Sequence, residues 1–170
     1  MCGMESARIA PAPQVRRATA DDVPALVRLR ALMLAEMGTA VGPEDAPWRG
    51  AAARWFTERL PAVHEFAVFV VDEPELGVVS SAAGSCEHRA PGPNSPSGLR
   101  GHVFNVSTEP AARRRGHARA CTEALLLWFA EETGVTMVDL NATQDGTRLY
   151  EELGFELPHF PALQLRLPAR

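Results

Sequence analysis

The sequence is poor in the features that mark disulfide-stapled, membrane-spanning or nucleic-acid-binding proteins. Only three cysteines, Cys2, Cys86 and Cys121, occur in 170 residues. An odd number without close pairs argues against a disulfide framework and against zinc-ligand spacing, so no metal is expected. No apolar run approaches the roughly 20 residues that cross a bilayer. The opening MCGMESARIAPAPQ holds no continuous apolar segment of the kind that directs secretion. The expectation is a cytoplasmic protein with no membrane partner. Positive charge is not in excess either: 17 Lys and Arg against 21 Asp and Glu leave a net charge of -4. No overall basic field therefore draws the chain to nucleic acid. GxxxxGK[ST] and GxGxxG are both missing, which removes the nucleotide P-loop and the Rossmann fingerprint. There is no internal repeat, and tyrosine occurs once, as Tyr150.

What remains is an ordinary globular composition, 46% hydrophobic and 22% charged, at a length that suits one domain. Residues 1–13 are small, polar and proline-bearing and are expected as a flexible tail, leaving a single domain over 14–170. QVRRAT suits a first strand. Thr19 is a candidate N-cap for a helix running to Gly38, with Val23, Leu26, Val27, Met33, Leu34 and Met37 at helical spacing. A loop (38–50), a helix (48–60), a central strand (65–71), a turn (72–75) and a returning strand (76–88) follow. The glycine- and proline-rich stretch 89–101 is a loop. After it come a strand (102–108), a helix ending near Gly134, a strand (135–143), a short helix (146–153) and strand pieces in 155–167. Antiparallel strands followed by a strand–helix–strand crossover make the fold class α+β.

The most distinctive stretch is ARRRGHARA, residues 112–120, at the junction between a strand and a helix. A helix start leaves its first N–H groups unpaired at the positive end of the dipole. Gly116 and Ala118 add little bulk, so an anion can approach the backbone, and the arginines can add charge-assisted bonds. A phosphate or pyrophosphate is the natural occupant; the bland alternative is a solvated basic helix start.

Arg113-Arg114-Arg115-Gly116-His117-Ala118 matches the [QR]-x-x-G-x-[GA] signature, and Tyr150 followed by Gly154-Phe155 matches Y-x-x-x-G-F. In that order and at that distance, these motifs resemble the GNAT superfamily of acyl-CoA-dependent N-acyltransferases. The resemblance covers about residues 102–157. It implies a GNAT-like fold: a central mixed, mostly antiparallel sheet whose middle strands, 102–108 and 135–142, splay apart between flanking helices. It also implies acetyl-CoA as cofactor. Its pantetheine arm would bond backbone around Asn105, Val106 and Ser107, and its pyrophosphate would face Arg113, Arg114, Arg115, Gly116, His117, Ala118 and Arg119. Asn141 matches a position that contacts the cofactor arm or the acceptor, a structural partner being the alternative. Tyr150 matches the residue that protonates or hydrogen-bonds the departing sulfur.

For the base, Glu87 is the leading candidate, acting directly or through water; His88, His102 and Glu109 are alternatives, and His102 is also a candidate substrate contact. Arg30 falls on the apolar stripe of the first helix. It is read either as a snorkelling or structurally paired side chain, or as a substrate residue meeting a carboxylate of the acceptor. His117 is expected to face solvent. Cys86 lacks a matching histidine for acyl transfer, and Cys121 belongs to the core. The function so implied is acetyl transfer to a primary amine of a small molecule, shaped by the loops 38–50 and 89–101. Protein N-terminal or lysine acetylation, a non-catalytic acyl-CoA sensor and a nucleic-acid module are the alternatives. A homodimer through the exposed edge of ALQLRL is also compatible.

Overall fold

The computed structural model describes residues 14–168; the expected tail, with Cys2, lies outside the described residues. Five strands form one sheet in the order β1 to β5: β1 (Gln14–Arg17), β2 (Phe66–Glu73), β3 (Gly77–His88), β4 (Leu99–Thr108) and β5 (Val138–Leu140). The first four pair antiparallel, and β5 joins β4 in parallel after a helical crossover.

Period-two alternation divides the apolar run of β2 between two cores. Phe66, Val68 and Val70 face α1 (Val23–Glu36) and α2 (Pro47–Arg59), against Leu26, Leu29 and Phe56. Ala67 and Val71 face α3 (His117–Glu132), against Cys121, Leu125, Trp128 and Phe129. Glycine is required on that second face. A Cβ on Gly84 or Gly101 would lie 2.8 Å from the Phe129 ring, so both let α3 settle onto the sheet. A short helix, α4 (Thr147–Glu152), closes the described secondary structure.

The entry to α1 differs from a simple Thr19 cap. Residues 20–22 form a 3-10 turn, and Asp22 accepts the Thr19 N–H at 2.8 Å while both its oxygens take Arg16 at 2.8 Å. The strand around 102–108 begins earlier than expected, at Leu99, because Leu99 to Gly101 pair with His88 to Cys86.

β5 is shorter than the expected 135–143. Its pairing with β4 is Gly101 to Val138, His102 to Asp139 and Val103 to Leu140, and stops there. The strand pieces expected in 155–167 do not form: the segment is irregular and exposed, with Leu157, Leu163, Leu165 and Leu167 open to solvent. It reaches no sheet edge to bond, and Pro158 and Pro161 remove donors that a ladder would need.

Candidate active site

Two deviations from regular β geometry create the site. β3 and β4 slip register, Ser81 facing Ser107 but Ala83 facing Phe104, so Asn105 and Val106 together oppose a single residue. Asn105 takes φ 54°, which asparagine tolerates better than most residues, and is buried. On the other side, β4 loses its partner beyond Val103. The two parallel strands thus separate, and a cleft of about 530 Å³ opens beside Val106, Ser107 and Thr108.

At one end of the cleft lies the start of α3. Its N-cap is Gly116 at φ 82°, where a Cβ would meet nothing within 4 Å. The first carbonyl to accept is that of Gly116, from the Ala120 N–H at 3.0 Å. The amides of His117, Ala118 and Arg119 therefore have no acceptor in the helix, and all three residues line the cleft. This end can hold a diphosphate through backbone N–H groups.

The arginines are mostly engaged by carboxylates from distant elements. Arg113 binds Glu36, Arg119 binds Glu152, and Arg115 reaches Glu73 at 3.1 Å. Arg114, exposed at φ 61°, has no side-chain partner among the described residues. His117 is buried rather than solvent-facing, correcting the expectation: its Nε2 lies 2.8 Å from Glu73 Oε1. That bond, with Arg115 adding to it, holds the Glu73 carboxyl below its ordinary range. So Glu73 holds His117 from beneath, and the His117 amide is one of the three without an acceptor in the helix.

At the other end, α4 presents half-buried Tyr150 together with Leu149, Gly146, Asp145 and Thr143. Gly154, at φ 91°, turns the chain so that Phe155 bonds back to Tyr150 O at 2.9 Å and sets its ring edge-on to Tyr150 at 5.9 Å. Burial pushes the Tyr150 phenol above its ordinary value, so it remains protonated at neutral pH.

The remaining candidates are dispersed. Glu87 is exposed at the end of β3, paired with Arg89 at 3.2 Å, and lines neither this cleft nor the second cavity described below. Asn141 is exposed just past β5 and outside the lining. His102 lines neither cavity: its Nδ1 lies 2.7 Å from Asp139 Oδ1, and its ring stacks on Phe104 at 5.9 Å. Burial works to raise the Asp139 carboxyl, but the bonds from His102 and Arg100 outweigh it and hold it low. Cys86 is half-buried and Cys121 is core; burial raises both thiols, that of Cys121 to about 12, which leaves neither a ready nucleophile. Among the described residues no group of three or more His, Cys, Asp or Glu side chains could hold a metal ion, and no helix is long and apolar enough to cross a membrane.

Residues 33–155 match the acetyltransferase (GNAT) family. The chain belongs to that family. The acetyltransferase is also similar in fold to several solved structures. One, a predicted acetyltransferase from Clostridium acetobutylicum crystallised with acetyl-CoA, shares 23% identity over 90% of this chain and 95% of its own, with a TM-score of 0.77. A GCN5-related N-acetyltransferase from Ralstonia eutropha shares 24% over 89% and 97%, at 0.72. Glucosamine-6-phosphate N-acetyltransferase from Arabidopsis thaliana shares 16% over 89% and 97%, at 0.70. No curated protein matches the sequence.

Beside the cleft, on the α2 side of β4, lies a second cavity of about 410 Å³ lined by Arg30, Trp48, Ala51, Ala52, Trp55, Phe56 and Phe104. Of these the sequence singled out only Arg30. The signal that could have found the rest is the seven-residue spacing of Trp48 and Trp55, which puts both on one face of α2.

Proposed function

We propose that the acetyltransferase transfers an acetyl group from acetyl-CoA to a primary amine of a small molecule by direct attack, in a cytoplasmic setting. The observation that carries this reading is the single cleft that joins the free amides of α3 to Tyr150 across the unpaired stretch of β4. The donor set fits the cofactor: amides and Arg114 for a diphosphate at one end, unpaired β4 backbone along the arm, and a phenol at the other.

Bound there, acetyl-CoA supplies an activated acetyl thioester. The chain's own groups then divide the work. Backbone N–H near Val106, on the side of β4 that has lost its partner, is placed to receive charge building on a carbonyl oxygen. Tyr150, held protonated by burial, donates to the departing thiolate. The amine gives its proton to water, since Glu87 stands apart from both cavities.

The test is release of free thiol from acetyl-CoA across a panel of primary amines, with acetylated product identified by mass. The chain contains no lysine, so acetylation of its own lysines cannot imitate turnover. Amine-dependent release is the expected result. Cofactor binding without release for any amine would make the protein a sensor instead.

A further inference from the structure

Arg30 is unlike the arginines around it. Arg113, Arg115, Arg119 and Arg100 each meet a carboxylate. Arg30 is half-buried and has no carboxylate within 4 Å among the described residues; its Nη1 donates to a neutral acceptor, Asn105 Oδ1, at 3.1 Å. Burial pulls its pKa below the ordinary value, the sign of a cation held without a counter-charge. A guanidinium has five N–H donors, and one bond to an amide leaves most of them for a ligand.

The walls around that cation are apolar. Trp55 sits edge-on to Phe56 and Phe66 at 5.2 Å and to Phe104 at 6.1 Å, so its ring is fixed. Trp48 is anchored by its indole N–H to Val41 O at 2.7 Å. A rigid aromatic box with one unneutralised guanidinium selects a molecule with an apolar body and one anionic group. The cavity also adjoins the reaction cleft: Phe104 lines the one, Val106 lines the other, and Asn105 lies between them.

We infer that this cavity takes the amine acceptor and that the acceptor is an amino acid with an aromatic or branched apolar side chain, its carboxylate on Arg30. In an α-amino acid the nitrogen is one carbon from the carboxylate, so seating the carboxylate on Arg30 brings the amine to the Asn105 bulge. The inference rests on the acetyltransfer reading above. The reaction balances as an N–C bond formed to the acetyl carbon, a C–S bond broken, one proton lost by the amine and one gained by the thiolate.

The experiment compares L-phenylalanine and L-leucine with their decarboxylated counterparts, phenethylamine and 3-methylbutylamine, by thiol release. In parallel, calorimetry follows binding of N-acetyl-L-phenylalanine. The amino acids should exceed the plain amines in kcat/KM by about tenfold or more, as expected for a charge-assisted contact. Arg30→Gln should erase that ratio and weaken N-acetyl-L-phenylalanine binding about tenfold, and Trp48→Ala should raise KM for phenylalanine. If Arg30→Gln fails to fold, the wild-type ratio and the Trp48→Ala result still decide. Plain amines turned over as well as the amino acids would overturn the inference while leaving acetyltransfer standing. Absence of thiol release with every amine would remove the acetyltransfer reading itself.

Discussion

Arg30 on α1 and Asn105 on β4 are joined by one hydrogen bond, 3.1 Å from Nη1 to Oδ1, and this bond ties the helix to the bulge that opens the site. The other half of the asparagine amide, Nδ2, is buried without a partner. The contact is therefore only half satisfied.

Asn105→Asp tests this relationship. It gives Arg30 a counter-charge but leaves the second carboxylate oxygen buried where Nδ2 now lacks a partner, so stability at pH 7 should change by no more than about 1 kcal/mol. The same change should remove the advantage of carboxylate-bearing acceptors, because their partner is then occupied. Urea unfolding and the acceptor ratio measure the two effects, and an unchanged acceptor ratio would contradict the account.

Arg114 carries φ 61° on an exposed loop, a conformation that costs an L-residue about 1 kcal/mol. Arg114→Gly should leave thermal stability equal or higher and weaken coenzyme A binding about fivefold or more through the lost phosphate contact. Calorimetry beside a thermal melt separates the two. Unchanged affinity would take Arg114 out of the phosphate site.

Tyr150→Phe should lower kcat by about a hundredfold with little change in coenzyme A affinity, since only the proton donor is removed. Burial raises the wild-type phenol, so any fall in rate caused by its ionisation should come at a higher pH than a free phenol would give. A Tyr150→Phe enzyme with wild-type kcat would show that the thiolate takes its proton elsewhere.

Asp22 is held by Arg16 first, with the Thr19 N–H adding to it against the opposing effect of burial, and its pKa lies below the ordinary value. A carboxyl depressed in the folded state stabilises above its unfolded pKa, and that contribution is lost as pH falls through the folded value. Asp22→Asn should cost about 2 kcal/mol at pH 7 and flatten the decline in stability below about pH 4. Urea midpoints from pH 3 to 7 give the comparison.

How much of this was legible beforehand follows from which interactions are local. Gly116, the apolar face of α3 and the Tyr150–Gly154–Phe155 spacing are short-range signals, and they located the crossover and both ends of the cleft. The partners of the arginines are not local: Glu36, Glu73 and Glu152 arrive from α1, β2 and α4, and no spacing announces them. Burial of His117 follows from Glu73 beneath it, 44 positions away. The alternation in ALQLRL reads as a strand, but a strand also needs a partner, and among the described residues nothing pairs beyond β5. The place of Glu87 at a hairpin end makes it a candidate base in the sequence, but no local signal shows that its side chain pairs with Arg89 outside the cleft.

The central claim is that a diphosphate rests on the free amides at the start of α3. Isothermal titration of coenzyme A against pantetheine, which lacks the diphosphate and nucleotide, tests it most directly. The account predicts binding of coenzyme A, with pantetheine weaker by about tenfold or more. Equal affinity for the two, or no heat from either, would contradict it.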